Sequence, residues 1–192
     1  MTHRIPVVDI FAGPGGLSEG FSAFRSKGRI APFHIGLSIE KDAAAHATLK
    51  LRAFYRQFAR PPEEYYRHLR GEIALDALYA SWPVQAAAAE AEAWHATLGE
   101  IDAGTVRSKI NEAIGGRRKW VLIGGPPCQA YSIVARSRRK NDEAFEQDEK
   151  HLLYQEYLRI LADHRPPVFV MENVKGLLSA SLSGRSTFDR IL

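Results

Sequence analysis

One cysteine and one glutamate follow two short apolar runs of the chain. Cys128, the only cysteine, comes after the run Trp120–Ile123 and the turn Gly124-Gly125-Pro126-Pro127. Glu172 follows a second apolar run, at positions 168–171. Both runs have the length of a buried strand, and parallel strands bring their carboxyl ends to one edge of a sheet, where such folds bind ligands. The sequence therefore predicts one site that holds a nucleophilic thiol and an acid.

A thiol and a carboxyl group at one site suit methylation of an unreactive aromatic carbon, such as C5 of cytosine. A thiolate that adds to C6 makes C5 nucleophilic, which is covalent catalysis. A glutamate whose pKa is raised by burial stays protonated and donates a hydrogen bond to N3 of the base. A lone cysteine is more often a packing residue, but the two stiff prolines before Cys128 favour its presentation at the sheet edge.

A glycine-rich loop follows the first apolar run of the chain, and an acid follows the second. The loop is Phe11-Ala12-Gly13-Pro14-Gly15-Gly16, and the acid is Glu40, where an open α/β fold binds ribose hydroxyls. The spacing is not Gly-x-Gly-x-x-Gly, and no Lys-Ser/Thr follows, so neither a dinucleotide nor a phosphate cradle is indicated. A tight turn beside a satisfied acid is the alternative. The pattern favours a nucleoside ligand without a pyrophosphate, of which S-adenosylmethionine is the common one.

The elements that must position these residues alternate along the chain. Strands are predicted at 7–11, 33–39, 119–123 and 167–171, with a further strand end near 98–101. Helices are predicted at 16–25, 43–58, 63–81, 84–96, 105–114 and 149–162. The alternation predicts one α/β domain over residues 1–192, with a doubly wound, mostly parallel sheet and a helical insertion at about 42–96. A helix start at Ser186-Thr187 leads us to expect an incomplete sheet and a fragment or half of a split protein.

The composition of the chain excludes several classes of protein. Its 192 residues are 45% hydrophobic and 25% charged, which is ordinary for a globular protein. No apolar run approaches the roughly 20 residues that span a bilayer, and no signal-peptide core is present, so we expect a cytoplasmic protein. One cysteine and scattered histidines indicate no metal. A net charge of +4 fits a polyanionic partner without requiring one.

These blocks resemble the DNA (cytosine-5) methyltransferase family. The segment Asp9–Gly16 resembles its S-adenosylmethionine motif, and Gly124–Ser132 resembles its nucleophile loop. Glu172-Asn173-Val174 matches its Glu-Asn-Val block, and Leu152-Leu153-Tyr154 resembles a weaker block. The resemblance implies a Rossmann-like methyltransferase fold, S-adenosyl-L-methionine as cofactor, double-stranded DNA as partner, and a target base flipped out of the duplex.

The resemblance also implies roles for individual residues. The catalytic residues that it implies are Cys128, Glu172, Pro127 and Asn173. The cofactor-binding residues that it implies are Asp9, Phe11, Ala12, Gly13, Gly15, Gly16, Leu17, Glu40, Lys41, Glu100, Ile101 and Pro126, with Glu100 in place of the family's aspartate. The expected nucleic-acid contacts in the nucleophile loop are Gln129 and Ser132. A basic run of Arg136, Arg138, Arg139 and Lys140 is by itself typical of a solvated charged surface, but its position beside Cys128 favours phosphate contact and closure over a substrate. A second run, Arg117-Arg118-Lys119, is interpreted as solvated surface ahead of a strand.

Other parts of the family pattern have no counterpart in these 192 residues: the Gln-x-Arg-x-Arg block, the target-recognition region and the closing helix. The expected function is therefore the catalytic, cofactor-binding portion of a DNA (cytosine-5)-methyltransferase in a restriction–modification or orphan setting. Target recognition is expected on a missing C-terminal region or a second subunit. Two alternatives stay open: an RNA (tRNA) cytosine-5 methyltransferase with the same site, and a non-catalytic module that binds the cofactor or a partner.

Overall fold

Among the residues that the structure describes, five parallel strands form a sheet at the centre of the fold. The computed structural model describes residues 4–26, 30–126, 149–172, 181–182 and 185–186. The strands of the sheet are β1 (Ile5–Ile10), β2 (Phe33–Glu40), β3 (Ala93–His95), β4 (Val121–Gly124) and β5 (Val168–Met171). They lie in the order β3-β2-β1-β4-β5, and each neighbouring pair is parallel. Two short strands, β6 (Ser181–Leu182) and β7 (Arg185–Ser186), form a separate antiparallel pair.

Helices connect the strands, because parallel neighbours need a crossover between them. The helices are α1 (Gly16–Ala23), α2 (Ala43–Arg56), α3 (Glu63–Leu69), α4 (Leu75–Ser81), α5 (Pro83–Glu92), α6 (Ala103–Ile114) and α7 (Glu149–His164). Asp42 begins α2 by accepting a hydrogen bond from the amide of Ala45, and Asp102 begins α6 by accepting one from Thr105. Of the helices described, none has the length and apolar content needed to cross a membrane.

The core of the molecule lies on both faces of the sheet. On one face, Val7 and Ile123 pack against Phe21 of α1. On the other face, Val8 and Leu122 form part of a larger apolar cluster with α6 and α7. Neighbouring residues of one strand point to opposite faces, so a strand buried on both sides reads as a continuous apolar run. The doubly wound parallel sheet expected from the sequence is confirmed.

A helical insertion between β2 and β3 has a core of its own. Leu49, Phe54, Leu78 and Ala89 are completely buried there, and they come from α2, α4 and α5. Ala93 of β3 belongs to the same cluster. The insertion is therefore packed directly against the edge of the sheet, beside the carboxyl end of β2.

Three sequence predictions for individual elements are wrong. The helix expected over 63–81 is two helices, because the chain turns between them at Gly71, whose φ is 76°. The strand end expected near 98–101 lies earlier, at Ala93–His95, where pairing with β2 ends the preceding helix. Ser186, expected to begin a helix, lies in β7. None of these changes affects the order of the sheet.

Candidate active site

A pocket lies at the carboxyl ends of β1, β2 and β4. Its volume is about 270 Å³. Apolar side chains and one carboxylate form much of its wall, which suits a ligand with a flat apolar part and hydroxyl groups. The lining residues are Phe11, Ile39, Glu40, Lys41, Ala96, Leu98, Gly125 and Leu153. The pocket therefore coincides with the edge of the sheet where the sequence places a ligand.

The loop after β1 enters the pocket in a strained conformation. Phe11 has a φ of 57°, a region that residues other than glycine seldom occupy. The amide of Ala12 donates to the carbonyl of Ile39 at 3.0 Å, and that of Gly15 donates to the carbonyl of Ala12 at 2.9 Å. These bonds hold the turn against β2, so that Phe11 forms part of the pocket wall. Strain of this kind occurs most often at functional sites.

Helix α2 packs directly on this glycine-rich loop. Gly15 has a φ of 88°, and a Cβ at this position would lie 2.8 Å from Cδ1 of Leu49. Leu49 is completely buried and has little freedom to move away. Arg52, one turn further along α2, donates from Nη1 to the carbonyl of Pro14 at 2.8 Å. The loop is thus held by β2 on one side and by the helical insertion on the other.

Glu40 joins the loop to the start of α2. Its Oε2 accepts a hydrogen bond from the amide of Gly13 at 2.7 Å, and its Oε1 accepts one from the amide of Asp42 at 2.7 Å. A carboxylate has about four acceptor sites, so each oxygen can still accept one further hydrogen bond. Because Glu40 also lines the pocket, it can bind hydroxyl groups of a ligand while it holds the loop.

Asp9 is a buried carboxyl group behind the loop. It is completely buried in β1, and its Oδ2 accepts a short hydrogen bond from Oγ of Ser18 in α1. Oγ of Ser18 also lies 3.4 Å from Oγ of Ser38 in β2. Burial raises the pKa of Asp9 to about 7, although the hydrogen bonds with Ser18 and the charge of Arg56 lower it. Asp9 is not part of the pocket wall, so it acts by tying β1 to α1.

The carboxyl group of Glu172 lies at the rim of the pocket. Its amide donates to the carbonyl of Gly124 at 2.8 Å, which continues the pairing of β4 and β5 by one residue. A Cβ at Gly125 would lie 2.6 Å from Oε2 of Glu172, so the carboxyl group occupies the space that a side chain would take there. Gly125 also lines the pocket. Glu172 therefore lies next to the pocket, directly after β5.

The remaining cofactor residues expected from the sequence lie at different distances from the pocket. Lys41 forms part of its wall, whereas Leu17 packs among the apolar residues between α1 and the sheet. Ile101 packs against the core beside α6. Glu100 is exposed in a turn, where its amide donates to the carbonyl of Thr97, and it is not among the lining residues. Ala12 lies in the glycine-rich loop and Gly16 begins α1, whereas Pro126 follows β4 and Gly125.

Several expected residues lie outside the part of the chain that the structure describes. They are Pro127, Cys128, Gln129, Ser132, Arg136, Arg138, Arg139, Lys140 and Asn173. Among the described residues, no group of three or more His, Cys, Asp or Glu side chains is placed to hold a metal ion.

The apolar wall of the pocket and the side chains that support its loop leave little signal in the sequence. Ala96 and Leu98 line the pocket, but their segment was expected to be a helix end and a strand end. Arg52 donates to the loop from α2, and Ser18 donates to Asp9 from α1. In the sequence, a single polar residue on a helix resembles an ordinary surface position. The only signal for Ser18 was a small polar residue inside the first turn of a helix that follows a glycine-rich loop.

Comparison with known proteins gives one family and several relatives. A family model described as C-5 cytosine-specific DNA methylase matches residues 91–192. The chain is 32% identical to the type II methyltransferase M.Bpa9945I of Bacillus paralicheniformis, over 91% of this chain and 41% of that protein. It is 26% identical to the type II methyltransferase M.DdeI of Desulfomicrobium norvegicum, over 93% of this chain and 30% of that protein. The type II methyltransferase M.FnuDI of Fusobacterium nucleatum is 47% identical over 30% of this chain and 15% of that protein. The chain spans less than half the length of each of these relatives.

Proposed function

This chain belongs to the C-5 cytosine-specific DNA methylase family, and we propose that it forms the cofactor-binding and catalytic part of a DNA (cytosine-5)-methyltransferase. The observation that carries the proposal is the position of Glu172 at the rim of the pocket formed by Phe11 and Glu40. A methyl donor and a target base must meet at one point for transfer. Glu40, the expected cofactor group, and Glu172, the expected base-binding group, both lie at this edge of the sheet. Descriptions of the family and of the relatives that name DNA and type II methyltransferases support DNA as the substrate.

The residues around the pocket fit S-adenosylmethionine. Phe11 offers an aromatic surface for an adenine, and Leu98 and Leu153 offer apolar walls. Glu40 has free acceptor sites for the two ribose hydroxyls. Gly13 has open space around the position of a Cβ, so the backbone of the loop can approach the methionine part closely. When bound, the cofactor supplies a methyl group on a positively charged sulfur.

Cys128 is the proposed nucleophile. Its thiolate adds to C6 of the target cytosine, and the electron pair of the C5–C6 double bond then becomes available at C5. Carbon C5 takes the methyl group as the bond between that group and the donor's sulfur breaks. The C5 proton then goes to a base, and the bond between C6 and Sγ of Cys128 breaks to restore the ring and release the thiolate. Atoms and charge balance, because the donor gives up one positive charge with its methyl group and C5 releases one proton.

Glu172 is the proposed partner of the cytosine ring. Addition of a thiolate at C6 increases the electron density at N3, and a hydrogen bond from a carboxyl group at N3 stabilises that change. The side chain of Glu172 is held beside Gly125, and its backbone is fixed by the bond to Gly124. A fixed donor costs little reorganisation at the moment of reaction.

A target cytosine in a duplex must leave the base stack to reach this edge of the sheet. Arg136, Arg138, Arg139 and Lys140 are proposed to bind the phosphates beside the flipped base and to close over it. The choice of target sequence is proposed to belong to a further region or subunit, because the chain spans less than half of its relatives.

The proposal is tested with duplex DNA that contains 5-fluorocytosine. Fluorine at C5 does not leave as a proton does, so a methylated adduct on the enzyme persists after transfer. We expect peptide mass spectrometry to find the adduct on Cys128 when the chain is incubated with this DNA and S-adenosylmethionine. Cys128→Ser serves as the control, because it removes the nucleophile while cofactor binding stays close to that of the unchanged chain.

Two outcomes would contradict the proposal. An adduct that persists in Cys128→Ser would move the nucleophile to another residue. A chain that binds both S-adenosylmethionine and the duplex but forms no adduct would favour a non-catalytic module. The same analogue placed in RNA distinguishes a DNA methyltransferase from an RNA methyltransferase. An adduct that forms with RNA and not with DNA would show that RNA is the substrate.

A further inference from the structure

A group of exposed cations lies at the end of the sheet opposite the candidate pocket. We call it the amino-end cluster, and it consists of Arg4, Arg117, Arg118 and Lys119. Together with Ile5, these residues line a cavity of about 380 Å³. Among the described residues that line this cavity, none is acidic. Arg117-Arg118-Lys119 is exposed ahead of β4, as expected from the sequence, and the fold adds Arg4 as a fourth cation.

The fold itself brings the two halves of the amino-end cluster together. Strands β1 and β4 are parallel neighbours in which Val7 pairs with Val121, so the segments before them lie at the same edge of the sheet. Nη1 of Arg117 donates to the carbonyl of Arg4 at 2.7 Å, across 113 positions of the chain. This bond fixes the two segments relative to each other and leaves the charged side chains of the cluster exposed.

The positive charge of the amino-end cluster has no carboxylate partner in the described part of the chain. Arg56, Arg107 and Arg159 each form ion pairs with Asp or Glu, whereas no described ion pair involves a member of the cluster. A neighbouring cavity that Arg4 borders does contain Glu19 and Glu92, but both of these carboxylates bind Arg56.

The pKa of His34 is sensitive to the positive charge of this region. Its side chain is half-buried, and burial lowers its pKa. The charges of Arg4 and Arg117 lower the pKa further, because a protonated imidazole is repelled by cations nearby. The region therefore favours anions over cations as ligands.

We propose that the amino-end cluster binds the backbone phosphates of duplex DNA, as a contact surface separate from the candidate active site. Arginine presents several donors in a planar fork that matches phosphate oxygens, and uncompensated cations gain affinity by releasing the counterions of DNA. The six residues of β1 separate the two surfaces by about 20 Å, at roughly 3.3 Å per residue. A stretch of duplex held at the cluster is therefore different from the stretch whose base enters the pocket. The choice of DNA as the polyanion rests on the proposed function.

The test measures binding of the 192-residue chain to a duplex of A·T base pairs only. Fluorescence anisotropy gives the association constant K between about 50 and 200 mM salt, and the slope of log K against log salt counts phosphate contacts. We expect Arg118→Ala to reduce the magnitude of the slope by about 1 and Arg118→Ala/Lys119→Ala to reduce it by about 2, with several-fold weaker binding in each case. The weakening should be the same for duplexes of other sequences, because phosphate contacts carry no base information.

Arg67→Ala is the matched control for Arg118→Ala. Arg67 is an exposed cation of α3 that pairs with Glu72, so its loss changes the net charge equally without touching the cluster. We expect its salt slope to stay unchanged. A slope for Arg118→Ala equal to that for Arg67→Ala would overturn the proposal, since only net charge would then matter. An A·T duplex contains no cytosine, so this result is independent of methyl transfer, which the 5-fluorocytosine adduct reports separately.

Discussion

The side chain of Glu40 holds the glycine-rich loop and also lines the pocket. Its two carboxylate oxygens accept hydrogen bonds from the amides of Gly13 and Asp42, and the same carboxylate lines the pocket. Its position at this edge of the sheet was predictable, because it follows the second strand and parallel strands bring their carboxyl ends to one edge. Its hold on the loop was not predictable, since hydrogen bonds from backbone amides leave no pattern in the sequence.

We expect Glu40→Ala to weaken the binding of S-adenosylmethionine by about 1.5–3 kcal/mol, because ribose hydroxyls and a loop amide lose a charged acceptor. Isothermal titration calorimetry measures the change. Glu40→Gln keeps one acceptor oxygen, so its affinity for S-adenosylmethionine should lie between those of the unchanged chain and Glu40→Ala. Glu112→Ala removes an exposed carboxylate of α6 and serves as the charge control. An unchanged dissociation constant in Glu40→Ala would remove Glu40 from the site.

Asp9 should make the stability of the protein depend on pH in an unusual direction. Its pKa is raised to about 7, so the folded state holds a proton that the unfolded state releases near its ordinary pKa of 3.8. The stabilisation is complete below that value and is lost as the pH rises to about 7. We expect the free energy of unfolding of Asp9→Asn, relative to the unchanged chain, to increase over this window with a slope of up to about 1.4 kcal/mol per pH unit.

Urea unfolding at several pH values measures this difference for Asp9→Asn. Asp76→Asn, at the start of α4, is the control, because it removes an exposed carboxyl group and should leave the pH profile unchanged. A difference between Asp9→Asn and the unchanged chain that stays constant from pH 4 to 8 would show that Asp9 is ionised in the folded protein throughout.

Elements with strong apolar periodicity were predicted correctly, and elements that depend on a partner were not. The runs that became β1 and β4 are buried on both faces, which gives a clear signal in the sequence. Strand β3 follows an alanine-rich segment that favours a helix by itself, and it exists because Ala93–His95 pair with Ser38–Glu40. Such pairing depends on distant residues, so a local pattern cannot reveal it.

The contact between α2 and the glycine-rich loop gives a prediction that separates two kinds of strain. Gly15→Ala places an alanine at a φ of 88° and pushes its Cβ into Leu49. Gly71→Ala also places an alanine at a positive φ, 76°, but with nothing within 4 Å of the Cβ. We expect Gly71→Ala to cost about 1–2 kcal/mol of unfolding free energy and Gly15→Ala to cost about 1–3 kcal/mol more.

Urea unfolding of both variants tests the role of Leu49. Equal costs for Gly15→Ala and Gly71→Ala would mean that α2 yields to the added methyl group and does not fix the loop. A larger cost for Gly15→Ala together with weaker binding of S-adenosylmethionine would show that the helical insertion holds the loop in its binding conformation.

The described molecule exposes apolar side chains along one outer strand of its sheet. Val168, Phe169 and Val170 of β5 are 53%, 45% and 39% exposed. In the described sheet β5 is a terminal strand, with β4 as its one strand partner. Contiguous exposed apolar surface on a terminal strand is a common cause of association between chains.

We expect the chain to self-associate at high concentration and Val168→Thr/Val170→Thr to reduce this. Threonine keeps the shape and strand preference of valine but adds a hydroxyl group to the exposed surface. Size-exclusion chromatography with light scattering measures the mass of the particle. Val84→Thr is the control, because Val84 is 75% exposed on α5, away from β5. A monomer at every concentration for the unchanged chain would contradict this expectation.

The order of the strands also sets a delay during synthesis. Strand β1 lies between β2 and β4, yet its partner Gly124 is made more than a hundred residues after Ile10. At about 5–20 residues per second, a ribosome needs roughly 5–20 s to deliver β4. During that time one side of β1, the middle strand of the described sheet, has no neighbour. A newly made chain therefore offers chaperones an apolar strand edge that is covered only when β4 has been made.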